Sequence, residues 1–420
     1  MAGAAIISDE PGPDRATAYG WIVFALSFGL LMSDYMARQV LNAVNPLLKA
    51  EWALSDAELA SLSSVVSLAV GLLTFPLSLA ADRLGRVRSL AAMAVLWSVA
   101  TLAGAWAQGY GQMLVARLCV GVGEAAYGSV GIAVVLAVFP IHMRSTLASA
   151  FLAGTMVGQV LGVAVGGQVA ATHGWRTAFE VIGYSGLALA VLYLLVVRES
   201  RIGSPLAREP IVWRRLLGQL FGPAALRLTY FGSGVQMFCT GTLAVWLPSY
   251  LNRYYALPVD RAGKATALFL MVCAAGMVTC GIISDRMAKG APAIKPQLAS
   301  LFALGSAALF AATFFSPPGL LQMALLAAAL FIVAAVAGIA GAMAANMTPR
   351  AIHGTTMATL ALANNLIGLA PGPLIVGWLA DHWGLDTALR VLPLPCLLSA
   401  AAFALARAPY AARVTPRAVP

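Results

Sequence analysis

The sequence predicts an all-α integral membrane protein with twelve transmembrane helices in two parallel six-helix repeats. Three observations indicate this fold class. The composition is 60% hydrophobic and only 10% charged, the apolar residues form runs of membrane-spanning length, and short sequences recur between the two halves of the chain. A soluble domain usually carries about a quarter charged residues, so this composition excludes the soluble class.

Apolar runs divide the chain into twelve predicted helices, because a spanning helix needs about 20 mostly apolar residues. The predicted segments cover 17–44, 57–80, 88–107, 111–139, 146–171, 178–197, 227–251, 262–283, 297–316, 320–346, 354–379 and 388–407. The predicted domain organisation is a cytoplasmic N-terminal tail (1–16), a six-helix bundle (17–197), a cytoplasmic linker (198–226), a second six-helix bundle (227–407) and a cytoplasmic C-terminal tail (408–420).

The positions of the basic residues predict the orientation in the membrane. With both termini in the cytoplasm, 18 of the 26 Lys and Arg residues fall in cytoplasmic segments and 6 in the opposite loops, while Arg38 and Arg117 lie within helices. Basic residues favour the cytoplasmic side. We therefore expect a multi-pass protein of the plasma (inner) membrane with both termini cytoplasmic. Because the basic residues are divided among short loops, the net charge of +10 does not indicate nucleic-acid binding.

Short sequences recur between the halves. ADRLGR after the second segment has a counterpart, SDRMAK, after the eighth, and GWRTAFEV before the sixth resembles GLDTALRV before the twelfth. Parallel repeats of this kind are a transporter architecture, with the substrate site near the midplane where the repeats meet.

Four charged residues fall inside apolar segments of the first half. Asp34 and Arg38 lie in segment 1, and Arg117 and Glu124 lie in segment 4. A lone charge at the bilayer centre costs at least about 2.5–3.5 kcal/mol, so each of these residues is a candidate for function. Asp34 and Arg38 are four residues apart and share a helix face. Static salt bridges among the four are the structural alternative.

At its motifs the chain resembles the major facilitator superfamily, over nearly its whole length. DRLGRVR matches the superfamily's loop between helices 2 and 3, and GIISDRMAK matches its second copy. RLCVGVGEA fits the helix-4 pattern, and Gly154, Gly158, Gly162 and Gly166 resemble its glycine-rich helix 5. The resemblance implies this superfamily's fold and transport rather than enzymatic activity. It also implies a conformational latch at the helix ends, formed by Asp82, Arg83, Arg86, Asp285 and Arg286. Fixing the topology is the alternative role of these arginines.

Two branches of the superfamily are similar to this chain. GVGEAAYG and VGQVLGVAVGGQVAATHGWRTAFEV look like the Spinster-like transporters. SDYMARQVLNAVNPLLKAEW and HMRSTLASAF resemble the anion:cation symporters of sugar acids and other organic carboxylates. Both branches commonly show Asn-Tyr-x-Asp-Arg in helix 1, where this chain reads Asp34-Tyr35-Met36-Ala37-Arg38. The role of the usual aspartate is therefore not transferred to position 37.

These observations favour a proton-coupled secondary transporter of a small organic anion, a carboxylate or sugar acid, working by alternating access, with symport favoured over export. Arg38 and Arg117 would attract the anion. Glu124 would carry the proton, since burial favours the neutral form of a carboxyl. Asp34 would form a second proton site or compete for Arg38. Neutral candidates for substrate contact are Asn42, Tyr127, Gln159, Gln236, Asn364 and Asn365, whose alternative role is hydrogen bonding between helices.

Other interpretations stay open at this stage. A Spinster-like carrier of a lysolipid or other amphiphile would open sideways to lipid, and a proton-driven exporter would reverse the direction. A solute-binding membrane sensor belongs to a different class. Sodium is the alternative coupling ion. The sequence shows no P-loop, nucleophile–base constellation or metal-ligand spacing. We therefore predict no ATP coupling, no enzymatic activity, no cofactor and no metal, and expect a monomer in the lipid bilayer.

Overall fold

A computed structural model of the chain describes residues 17–140, 143–202, 213–289, 291–349 and 352–414. Within these ranges the fold is all-α, without strands. The predicted N-terminal tail, part of the predicted linker and the last six residues lie outside the described residues.

Twelve long helical segments follow one another, and we number them α1 to α12. They are α1 (Ala18–Trp52), α2 (Asp56–Leu84), α3 (Arg86–Ala105), α4 (Tyr110–Glu124 and Tyr127–Ala137), α5 (Arg144–His173), α6 (Trp175–Val196), α7 (Ala224–Tyr254), α8 (Val259–Met287), α9 (Lys295–Phe314), α10 (Leu320–Val333 and Ala335–Met347), α11 (His353–Ala363, the π-helical turn Asn364–Leu369, and Pro371–Trp383) and α12 (Leu385–Leu389 and Pro393–Val414). A short helix, Trp213–Phe221, precedes α7.

The predicted fold class is confirmed. In the described part of the chain, eleven of these helices are long and apolar enough to cross a membrane. The twelfth, α7, has 31 residues and carries polar side chains such as Gln236 and Thr240 along its length. Several helices extend beyond the predicted apolar runs; α1, for example, continues to Trp52. Hydropathy marks only the part of a helix inside the hydrocarbon, so polar ends such as the turn containing Lys49 escape it.

Glycines bring α5 into close contact with α1. A β-carbon added at Gly158 would lie 2.4 Å from the carbonyl oxygen of Met32 and 2.8 Å from Cβ of Tyr35. Small residues permit this approach between membrane helices. The ridge of glycines predicted from the sequence therefore fixes how α5 lies on the helix that carries Asp34 and Arg38.

The two halves, α1–α6 and α7–α12, meet chiefly through three helix pairs, α5 with α8, α2 with α11, and α1 with α7, and α1 also makes a smaller contact with α8. We call the end at which α1 begins the near end and the end at which it finishes the far end. At the far end of the α5–α8 pair, a β-carbon added at Gly263 would lie 2.8 Å from the carbonyl oxygen of Val163. The halves are thus in backbone contact at the far end.

Candidate functional site

An ion pair joins α1 to α4 inside the membrane-length part of the fold. Arg38 Nε donates to Glu124 Oε2. The side chain of Glu124 has no exposed surface, whereas that of Arg38 keeps 19% exposed. Arg38 is therefore the member of the pair that a solute can reach.

Asp34 lies beside this pair, one helical turn earlier on α1. It is 3% exposed and interacts electrostatically with both Glu124 and Arg38. Asp34 Oδ1 and Glu124 Oε1 are both buried without a hydrogen-bond partner. Two buried carboxyl groups that share one guanidinium make a site suited to holding a proton.

Arg117 lies on α4 but contacts the backbone of α1. Its Nη1 donates to the carbonyl oxygen of Ala37 at 2.8 Å, and its Nη2 reaches that of Arg38 at 3.5 Å. The residue is only 2% exposed. Its guanidinium therefore holds α4 against the part of α1 that carries Arg38.

A chain of polar side chains crosses the first half on the far-end side of Arg38. Ser63 on α2 donates to Asn42 Oδ1 at 2.9 Å, and Asn42 donates to Gln39 Oε1 at 2.8 Å. Gln39 in turn donates to Gln159 Oε1 on α5 at 3.4 Å. The Gln159 amide nitrogen reaches only the sulfur of Met156, at 3.9 Å. The predicted candidates Asn42 and Gln159 are thus connected through Gln39, which the sequence analysis did not select.

Tyr127 is not part of this group. It is completely buried, and its hydroxyl donates to the carbonyl oxygen of Ser27 at 2.9 Å. Its ring meets Trp97 edge to face at 5.0 Å. The hydroxyl contact corresponds to the hydrogen bonding between helices that was the alternative role of Tyr127.

The polar candidates of the second half occupy different environments. Gln236 on α7 is completely buried, and neither of its amide atoms has a partner. Asn364 Oδ1 accepts from Ser233 at 2.8 Å. Asn365 donates to the carbonyl oxygen of Ala361 at 2.9 Å and leaves its buried Oδ1 unpartnered.

Asn365 also lies where α11 meets α2 in the other half. Its Cβ would be 3.0 Å from a β-carbon added at Gly71. Asn364 and Asn365 begin the π-helical turn of α11, and such turns are frequent at functional sites. The sequence signalled this irregularity only through Pro371 and Pro373, which follow it.

Among the predicted latch residues at the near end, Asp285 forms an ion pair within its own half. Asp285 pairs with Lys295 at 2.9 Å, and Arg83 and Arg286 are exposed. Glu199, in the predicted linker, accepts hydrogen bonds from the backbone N–H groups of Arg86 and Val87, each at 2.8 Å. The side chain of Asp82 lies outside the described residues.

Sequence analysis missed a second charged cluster, at the far end. Asp56 at the start of α2, Asp381 near the end of α11 and Arg253 near the end of α7 meet there. Each lies at a helix end, where a charge is ordinary, so sequence position gave no signal. Across the described ranges, no group of three or more His, Cys, Asp or Glu residues is arranged to hold a metal ion.

Comparison with known proteins decides the family. The profile of the Major Facilitator Superfamily matches residues 27–366. The chain belongs to this superfamily. The resemblance predicted from the motifs is thereby confirmed, and the fold and relatives of the chain are those of Major Facilitator Superfamily transporters rather than of enzymes.

Its relatives fall in both predicted branches. The probable L-galactonate transporter of Escherichia coli (strain K12) is 26% identical over 288 residues, which are 63% of this chain and 61% of that protein. The human protein spinster homolog 1 is 26% identical over 72% of this chain and 62% of its own length. A gallate transporter of Pseudomonas putida is 29% identical over 64% of this chain and 66% of its own length. The chain thus spans less than two thirds of each relative.

Solved structures share the fold. A bacterial homolog of the human lysosomal transporter Spinster, in an inward-facing and occupied conformation, has a TM-score of 0.83 at 20% identity, covering 93% of this chain and 97% of that one. A D-xylose-proton symporter has a TM-score of 0.71 at 18% identity, covering 91% and 96%. The twelve helices of this superfamily member therefore follow a known transporter architecture.

Proposed function

We propose that this protein is a proton-coupled secondary transporter of a small organic anion, a carboxylate or sugar acid. The observation that carries the proposal is the Arg38–Glu124 ion pair, with Asp34 beside it, on helices of membrane-spanning length. An intramembrane charge pair of this kind marks a substrate or proton pathway by default.

Arg38 supplies the anion site. Its guanidinium keeps 19% of the side chain exposed and can offer two parallel N–H donors to a carboxylate. A substrate carboxylate that binds there competes with Glu124 for the same positive charge. Arg117 supports this site by holding α1 in place rather than by contacting the substrate, since its Nη atoms face backbone carbonyl oxygens.

Glu124 supplies the proton coupling. When the substrate takes Arg38, the fully buried Glu124 loses its partner while Asp34 stays nearby. An unpaired buried carboxylate is strongly destabilising, so a proton binds as the substrate binds. The substrate and the proton then cross together, which is symport. Asp34 is the second carboxyl of this proton site.

Neutral groups would complete the substrate cavity between the halves. Gln159 has amide donors without an oxygen acceptor, and Asn365 and Gln236 have unpartnered amide oxygens. Gln159 and Asn365 lie on α5 and α11, which both take part in the contact between the halves. They would bind the hydroxyl groups of a sugar acid.

The names of two relatives support a carboxylate. Galactonate and gallate, named for the transporters of Escherichia coli and Pseudomonas putida, are both small organic anions. The basic residues predict a protein of the inner membrane with both termini in the cytoplasm. In that orientation the inward proton gradient would drive uptake of the substrate. We expect the transporter to act as a monomer.

A Spinster-like carrier of a lysolipid is the second candidate, favoured by the match to the human spinster homolog 1. It would use the same fold with a cavity open to lipid. Because Arg38 is anchored to a buried carboxylate beside a second one, a small anion with a proton fits this site better than a long apolar chain.

The test is proton movement in proteoliposomes containing a pH-sensitive dye. Sugar acids, aromatic acids and lysolipids are added outside to the wild type, to Glu124→Gln and to the control Glu51→Gln, whose ion pair with Arg176 is exposed. We expect one class of carboxylate to move protons through the wild type and the control but not through Glu124→Gln. Proton flux that survives in Glu124→Gln contradicts its role. A response to lysolipids alone selects the second candidate, and binding without flux of any solute indicates a sensor.

A further inference from the structure

A carboxylate of the second half binds the first turn of a helix in the first half. Asp381, on the last turn of α11, accepts hydrogen bonds from the backbone N–H groups of Asp56 at 2.6 Å and Ala57 at 2.9 Å. These are the first two residues of α2. The N-terminus of a helix attracts an anion through its free N–H groups and its dipole, so α11 binds α2 at the far end.

A second contact runs in the opposite direction. Asp56 belongs to the first half, and its carboxylate accepts two hydrogen bonds from Arg253 of α7, at 2.8 and 2.6 Å. Lys49 of its own half contacts the same carboxylate at 2.5 Å. Arg253 also lies over the ring of Trp246 at 5.8 Å. Each half thus gives one carboxylate to the other, and the two contacts meet at Asp56.

The start of α2 divides its hydrogen bonds between the two halves. Ser55 Oγ accepts the N–H of Glu58 at 3.1 Å, and Glu58 Oε2 accepts the N–H of Ser55 at 2.9 Å, which is a capping box. The box stays within the first half when the halves separate. Only the N–H groups of Asp56 and Ala57 then lose Asp381, and at a helix end water can replace it. The contact between Asp381 and α2 can therefore break while the first turn of α2 stays helical.

Close packing of α11 against α2 accompanies the charged contacts at Asp56. A β-carbon added at Gly377, one turn before Asp381, would lie 2.7 Å from the carbonyl oxygen of Asp56, 2.9 Å from Cβ of Ala60 and 3.0 Å from the ring of Trp246. The missing side chain lets α11 approach α2 closely enough for Asp381 to reach the N–H groups.

We propose that Asp381, Asp56, Arg253 and Gly377 form the far-end gate of this transporter, closed in the present structure and opened by separating Asp381 from α2 and Asp56 from Arg253. The proposal does not depend on which solute is carried. A similar sequence, Ala-Asp-Arg-Leu-Gly around Asp82, ends α2, as Ala-Asp-His-Trp-Gly around Asp381 ends α11.

Distances between spin labels test the gate. One pair replaces Gln108 and Pro318 with cysteine, exposed positions in far-end loops of the two halves, and a second pair replaces Leu84 and Met287 at the near end. The five native cysteines are first removed. We compare the wild type with Asp381→Asn, Arg253→Gln and Gly377→Ala. The matched control is Asp260→Asn, which removes a far-end carboxylate paired within its own helix.

We expect each gate variant to increase the ratio of far-end-open to far-end-closed molecules roughly tenfold, since hydrogen bonds to charged groups hold the closed state. The near-end distances should shorten in the same molecules. Asp260→Asn should match the wild type. Gly377→Ala leaves every charge in place. If it increases the far-end-open population as the two charge variants do, the step affected in all three is the closure of the far end. Wild-type far-end distances in both Asp381→Asn and Arg253→Gln would overturn the proposal.

Discussion

Arg38 and Glu124, 86 residues apart in the chain, form an ion pair in which the carboxylate side chain is fully buried and the guanidinium keeps 19% exposed. The two partners are therefore unequal. In the proposed mechanism a solute displaces Glu124 by approaching the exposed part of the Arg38 guanidinium, because Glu124 itself offers a solute no exposed side-chain surface.

Two substitutions of Arg38 should distinguish the contribution of its charge to transport from that of its paired N–H donors. Arg38→Gln leaves Glu124 without its ion-pair partner, and we expect uptake of a labelled carboxylate to fall at least about a hundredfold, consistent with a lost buried charge pair of about 3–5 kcal/mol. Arg38→Lys keeps the charge but not the paired donors, so activity should lie in between, mainly through a higher KM. Counterflow uptake in proteoliposomes measures both. Equal activity of the Lys and Gln variants would argue against Arg38 as the anion site.

Moving the acid of α1 by one turn tests whether Asp34 replaces the aspartate expected at position 37. Ala37 is 1% exposed, and its carbonyl oxygen already accepts from Arg117. We expect Asp34→Asn to weaken substrate-driven proton flux. Adding Ala37→Asp should restore part of it, since the backbone of position 37 already contacts Arg117. Dye-monitored flux compares the single and double variants; no recovery in the double variant means that position 34 cannot be exchanged for position 37.

Arg117 should contribute chiefly to stability. Arg117→Lys removes the fork that reaches two carbonyl oxygens of α1, and we expect a loss of about 1.5–3 kcal/mol, the range for hydrogen bonds to charged groups. Arg176→Lys is the control, because its pair with Glu51 is exposed and should contribute less than about 1 kcal/mol. Thermal unfolding in detergent measures both. A stable Arg117→Lys protein that no longer binds the anion would return Arg117 to the substrate site.

Gly158→Ala should displace α5 from α1. The added carbon would lie 2.4 Å from a backbone oxygen, and such overpacking typically destabilises by about 1–3 kcal/mol. Gly281→Ala on α8 is the matched control, since nothing lies within 4 Å of its added carbon. Unfolding temperature and uptake rate are measured together. If both variants behave like the wild type, the close contact between α5 and α1 does not constrain the site.

The residues that sequence analysis identified best are charged residues whose burial in apolar surroundings costs free energy. Asp34, Arg38 and Glu124 stand out because a charge in an apolar run requires a partner, and the structure brings these three together. The twelve helices could also be predicted from the sequence, because long apolar runs rarely occur outside membrane-spanning helices.

The features that the sequence did not reveal depend on partners without a side-chain signature. Arg117 binds backbone carbonyl oxygens, which every residue possesses. Asp381 binds backbone N–H groups 325 residues away, and its own position at a helix end is unremarkable. Gln39 joins Asn42 to Gln159 through side-chain hydrogen bonds, and nothing in the sequence distinguishes it from the other glutamines. Long-range contacts to the main chain need a three-dimensional structure before they can be seen.

The π-helical turn Asn364–Leu369 determines the direction, around the helix axis, of every later residue in α11. Its wider ring, closed by the bond from Ala370 N to the carbonyl oxygen of Asn365 at 2.9 Å, holds one residue more than an α-helical turn. One residue corresponds to about 100° of rotation. A single deletion within this turn would restore a regular helix and, at the same time, swing Gly377 and Asp381 away from α2. The spacing between Asn365 and Asp381 is thus a fixed register, which an insertion or a deletion would change.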